Sequence, residues 1–170
     1  MTRPGVLDPL GRFVRHAPLP APAVDIPRFM GTWHVLGGIL TPIERFAHNP
    51  VERYTLEPDG SIDTHFRFRL GSPRGRFCAL RSRAYVADDP SGSVWEMEFL
   101  PPIRLDYRIA YLDAQYEATL VARARRDLLW IMARRPDVDS TVYGELVARA
   151  EGLGYDPDRI RTAPHCWPHA

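Results

Sequence analysis

The side chains able to do chemistry fall into four sets. Arg81 and Arg83 lie two apart in Phe77–Tyr85, so in an extended segment their guanidiniums stand on one face. Tyr107 and Tyr111 share a face of Ile103–Leu112 and could act in acid–base chemistry, with an arginine as oxyanion stabiliser. Cys78 and Cys166 are the two cysteines. His165-Cys166-x-x-His169 contains metal-ligating types, but no fourth ligand stands at zinc spacing, so neither a metal nor a cofactor is expected. There is no Gly-rich phosphate loop, nucleophile elbow or His-Glu-x-x-His stretch, and no nucleophile paired with a base. An enzyme is therefore the weaker expectation, an isomerase-like activity being its form.

These groups must be carried by a chain of 170 residues, 45% apolar and 25% charged, which is the balance of one globular domain. Disorder and collagen-like repeats are excluded. Twenty-two basic residues, all arginine, oppose 21 acidic ones for a net charge of +1. That balance argues against an electrostatic nucleic-acid binder. No run approaches the roughly 20 apolar residues of a transmembrane segment. Residues 1–27 are proline-rich, with no apolar core of a secretory signal, and read as an extended arm in a cytoplasmic chain. A mis-assigned start would instead permit a periplasmic or outer-membrane-associated protein.

From Gly31 onward, short alternating runs are separated by turn signals. The runs are Trp33–Leu40, Val51–Glu57, Ile62–Leu70, Arg76–Ala87, Val94–Phe99, Ile103–Leu112, Glu117–Arg123 and Leu128–Ala133. Eight such strands predict an all-β, eight-stranded antiparallel up-and-down barrel. After Pro136 the period becomes helical, with Ser140 as N-cap and Gly152 as the stop. The last strand is apolar on both faces, which places this C-terminal α-helix outside the barrel against it. Closure of eight strands leaves room for side chains or one small ligand. The expected inward residues are Phe66, Phe68, Trp95, Met97, Phe99, Tyr107, Ile109, Tyr111, Leu120, Trp130 and Met132. They either fill the barrel or line a cup.

Three short motifs resemble the signatures of the lipocalin family, closest to the bacterial lipocalins of the apolipoprotein D-like branch. Gly31-Thr32-Trp33 opens the first strand, and Asp113-Ala114-Gln115-Tyr116 sits at the sixth-to-seventh strand turn. Leu129-Trp130-Ile131-Met132-Ala133-Arg134 precedes Pro136. The resemblance spans 28–162, leaving 1–27 as arm and 163–170 as tail. It implies that Gly31, Trp33, Tyr116 and Arg134 are structural, Arg134 packing over Trp33 at the closed barrel end. It also implies a possible Cys78–Cys166 disulfide, and binding or transport of a small hydrophobic ligand such as a fatty acid or lysophospholipid by a monomer or weak dimer. Gln115 departs from the family's aspartate, and the leader and lipidated cysteine common in bacterial members are not seen. If Cys78 faces outward towards the tail, Arg81 and Arg83 face the cup and would pair an acidic head group. If the run bulges, or an acid such as Glu52 lies inside, they are neutralised within the protein.

Overall fold

The computed structural model describes residues 6–7, 13–14 and 17–166. The rest of the proline-rich arm and the end of the tail, including His169, lie outside the described residues. Two short strands, β1 (Val6–Leu7) and β2 (Phe13–Val14), pair antiparallel. Helix α1 (Ile26–Phe29) follows, with the Asp25 carboxylate accepting from the Arg28 N–H at 3.1 Å. The main sheet comprises β3 (Gly31–Ile39), β4 (Ala47–Leu56), β5 (Ile62–Leu70), β6 (Phe77–Val86), β7 (Val94–Leu100), β8 (Ile103–Leu112), β9 (Ala118–Ala122) and β10 (Leu129–Ala133). Each pairs antiparallel with the next, and β10 returns to β3. The sheet is therefore closed into a barrel.

Helix α2 (Ser140–Gly152) packs outside the barrel, as the two-faced apolar character of β10 requires. Leu129, Ile131 and Ala133 are buried beneath it with Leu146 and Ala150, while Met132 points into the barrel and Trp130 packs against its interior. The helix start differs by one residue from expectation. Asp139 is the N-cap, its carboxylate accepting from the Thr141 N–H at 2.7 Å. The left-handed residue past its end is Gly154, at φ +91°, not Gly152. Among the described residues no helix is long and apolar enough to cross a membrane.

The closed end is a floor of stacked rings. Trp33 donates its indole N–H to the Phe29 carbonyl at 2.9 Å and stacks on Phe29 at 4.8 Å. The Arg134 guanidinium lies 3.9 Å from the Trp33 ring centroid and donates to the carbonyls of Thr32, Tyr116, Arg28 and Phe29. Gly31, at φ +100°, lies so close to this guanidinium that a Cβ would stand 3.3 Å away. Beside it, Asp113 supplies the carboxylate that Gln115 lacks, accepting from the Glu117 N–H at 2.7 Å. Tyr116 accepts from the Asp25 N–H through its hydroxyl.

The wall has one seam. β3 pairs with β4 only over Gly31–His34, and above that point the C-terminal segment is laid between them. Strand β11 (Arg161–Thr162) pairs with Gly37 and Gly38, the Ala163 N–H donates to Leu36, and Asn49 N–H donates to Pro164. Gly37 permits this, since a Cβ there would lie 2.5 Å from the Arg161 carbonyl.

Candidate functional site

The barrel encloses a cavity of about 280 Å³, open at the end opposite the Trp33 floor. Tyr54 and Tyr107 lie over that floor, with their hydroxyls hydrogen-bonded to each other. Trp95 lies beneath, stacked on Tyr107 at 5.7 Å and edge-on to Tyr54 at 5.6 Å. Phe66, Met97, Trp130 and Met132 form the walls, with Ser82, hydrogen-bonded to the Thr64 hydroxyl, among them. Ile43, Leu80, Phe99, Leu105 and Leu128 surround the mouth. The β6–β7 pairing begins only at Arg83 and Glu98, so the wall is splayed there and Leu80 and Phe99 are reached from outside.

Of the residues expected inward, Phe66, Met97, Phe99, Tyr107, Trp130 and Met132 line this cavity. Phe68, Trp95 and Ile109 also face inward but are packed into the core below or beside it. Four expectations are corrected. Arg81 and Arg83 are on the outer face, paired with Asp63 at 2.9 Å and Asp59 at 3.8 Å. The β5–β6 register opposes Phe66 to Leu80 and Thr64 to Ser82, so Leu80 and Ser82 point in and the arginines between them point out. Tyr111 is turned to the outside by a bulge after Ile109, and Arg149 of α2 lies 4.3 Å from its ring centroid. Leu120 is buried beneath α2, while Val121 takes the inward position. Tyr107 and Tyr111 therefore do not meet.

The same register turns Cys78 inward beside Phe68, whereas Cys166 sits outside, its backbone doubly hydrogen-bonded to the Asn49 side chain. Both cysteines are free, so the implied disulfide is not formed. His165 donates to the Val35 carbonyl at 2.9 Å, which gives it a structural partner in the seam.

Of the carboxyls in the cavity, Glu44 was not expected there from the sequence, whereas Glu52 is the acid that the sequence offers as an inward alternative. Glu44, in the short 3-10 turn Glu44–Phe46, folds inward. Its carboxylate accepts from the Trp130 indole at 3.0 Å and from the Thr41 N–H and hydroxyl at 2.8 and 2.6 Å. Glu52 shares the inward face of β4 with Tyr54, opposite Trp33 and Phe66, and has no hydrogen-bond or ion-pair partner among the described residues. Burial, reinforced by nearby Glu44, pushes its carboxyl up to about 8. Burial likewise pushes Tyr54 and Tyr107 well above the ordinary tyrosine value. The signal was present, because Glu52, Tyr54 and Leu56 alternate against Arg53 and Thr55. Arg123 is the lining's single cation. It is engaged by Asp127 at 3.0 Å and Asp106 at 3.7 Å.

A closed up-and-down barrel with an arginine-capped tryptophan floor and one apolar, one-ended cavity defines a calyx protein. Residues 24–165 match the family model of the lipocalin-like domain, and the chain belongs to that family. It is 28% identical over 136 residues to outer membrane lipoprotein Blc of Escherichia coli strain K12, covering 80% of this chain and 76% of that protein. It is 29% identical over 152 residues to temperature-induced lipocalin-1 of Arabidopsis thaliana, covering 83% and 79%. Similar solved folds include insecticyanin from the tobacco hornworm, at a TM-score of 0.67 and 12% identity over 95% of this chain and 87% of that one. Lobster apocrustacyanin A1 gives a TM-score of 0.64 at 10% identity over 89% and 92%. Lipocalins are mainly binding and transport proteins, and family and fold together support binding of a small hydrophobic ligand in the calyx.

Proposed function

We propose that the protein is a non-enzymatic carrier of a single-chain lipid amphiphile, of the fatty-acid or lysophospholipid class, with its alkyl portion in the calyx. The observation that carries this reading is the cavity itself. At about 280 Å³ it lies near the lower end of the roughly 300–1,000 Å³ of small-molecule sites, which suits one chain rather than two. Its walls are aromatic and aliphatic, and its mouth continues into exposed Ile43, Phe46, Phe99 and Ile103. Moving about 200 Å² of alkyl surface from water would contribute on the order of 5 kcal/mol before entropic costs. The curated relatives named as outer membrane lipoproteins support a site of action in the periplasm or at the envelope membrane rather than in the cytoplasm. Native mass spectrometry of the purified protein, followed by denaturing extraction, tests the reading. One single-chain lipid per protein is expected; an empty protein that takes up no alkyl ligand at micromolar concentration refutes it.

A further inference from the structure

The charged groups of the cavity lining are acidic in excess, with Arg123 the one cation among them. Three carboxyls, Glu44, Glu52 and Asp106, and the Tyr54–Tyr107 hydroxyl pair line it; Asp106 accepts from the Arg108 guanidinium at 3.2 Å and the Ala124 N–H at 2.8 Å. Arg81 and Arg83, which would have received an anion, lie outside in ion pairs. Arg123 is held by two aspartates. An anionic head entering this cavity would meet no free cation and at least one carboxylate.

Glu52 is unlike the other acids of the chain's interior. Glu44 spends both oxygens on Trp130 and Thr41, whereas neither oxygen of Glu52 is engaged by a hydrogen bond or ion pair among the described residues. It stands on β4 between the Tyr54 ring below and Phe66 across the strand pair, with Tyr107 and Trp130 5.6 Å apart, centroid to centroid, in the same lining. Carboxyls surrounded by ring faces form the environment that attracts an organic cation, through charge and through the ring quadrupoles together.

Resting on the calyx reading, we infer that the cavity selects a ligand whose polar end is an ammonium, seated against Glu52 among Tyr54, Tyr107 and Trp130, with the alkyl chain running towards Leu80 and Phe99 at the mouth. The acid class is thereby disfavoured within the proposed lipids. In the empty site Glu52 keeps its proton at neutral pH, and an ammonium at this place favours the ionised form against the burial that opposes it.

The test is calorimetric titration with decylamine, decanol and decanoate, which share one chain and differ only at the polar end. A lysophosphatidylethanolamine arm distinguishes a lipid source of the ammonium from a simple amine. Decylamine is expected to bind about tenfold or more tightly than decanol or decanoate. Glu52→Gln should bring it to within about twofold of decanol while leaving decanol unchanged. Glu44→Gln should reduce the preference less, because Glu44 already has partners. Equal or tighter binding of decanoate overturns the inference and leaves the calyx reading standing. So does a preference for decanol, or an amine preference that survives both substitutions. Failure of every ligand to bind overturns the calyx reading itself.

Discussion

A half-buried carboxyl in an apolar lining, with no partner among the described residues, is a burden on the fold when ionised, and Glu52 shows its sign. Its folded-state value of about 8 lies above the ordinary 4.5, so the folded protein holds a proton that the unfolded chain has released. Stability is greatest below about pH 4.5 on this account and is lost as pH rises to about 8. Glu52→Gln keeps the shape and removes the charge. It should raise the melting temperature at about pH 9 and leave it unchanged at about pH 4, measured by calorimetry. A group retained against stability is the kind found at functional sites. Arg134 is the opposite case, with its guanidinium on Trp33 and four carbonyls satisfied. Arg134→Ala should destabilise by about 2–4 kcal/mol in urea unfolding. Arg134→Lys should recover less than half of that, since an ammonium cannot reproduce the planar fork.

Among the elements, the tail laid into the β3–β4 seam carries a histidine pair whose titration bears on its stability. His34 and His165 lie edge to face at 5.6 Å, and burial, the largest cause for each, holds both below the usual histidine value. The charge of His165 adds to the lowering at His34 while Asp137 acts against it, and at His165 the bond to the Val35 carbonyl acts against it. Groups with lowered folded values stay neutral in the fold but are protonated in the unfolded chain, so the seam's stability is present above about pH 6.5 and falls below it. Amide protection factors at Ala163 and Cys166 should therefore drop between about pH 7 and pH 5. Protection in β8 and β9, far from the seam, should hold. On the other side of the barrel, Leu146 is buried between α2 and β10. Leu146→Ala should cost about 2–4 kcal/mol without altering the cavity, checked by urea unfolding and ligand titration together.

At the scale of the whole molecule, two cores share one sheet. One fills the lower barrel around Trp33, Trp95 and Phe68, and the other glues α2 to the outer wall. The cavity is what remains above the first core, and its mouth is splayed where β6 and β7 part. Leu80 is 46% exposed at that opening, so a larger side chain is tolerated there and blocks the way in. Leu80→Trp should weaken alkyl-ligand binding by about tenfold or more with the melting temperature unchanged, measured by titration and calorimetry.

The order and type of the strands, the closing helix and the floor motifs were legible in the sequence because they are local. Alternation, turn residues and apolar faces are written within a dozen residues, and a barrel follows from eight of them in succession. Phe66, Met97, Phe99, Tyr107, Trp130 and Met132 were placed on the inward side by that alternation, and it holds wherever one face is clearly apolar. It could not decide β6, where Phe77, Arg81 and Arg83 alternate with Cys78, Leu80 and Ser82, and neither face is purely apolar. The cross-strand register with β5 decided it and turned the arginines out. Nor could it decide Leu120, on a strand buried on both faces, or Tyr111, beyond a bulge that period two does not announce. Which side of a strand faces the ligand, and hence whether the calyx interior is basic or acidic, is set by pairing across the sheet. A one-residue slip reverses it, so only the tertiary structure could choose between the two faces of β6 and leave Arg81 and Arg83 in water.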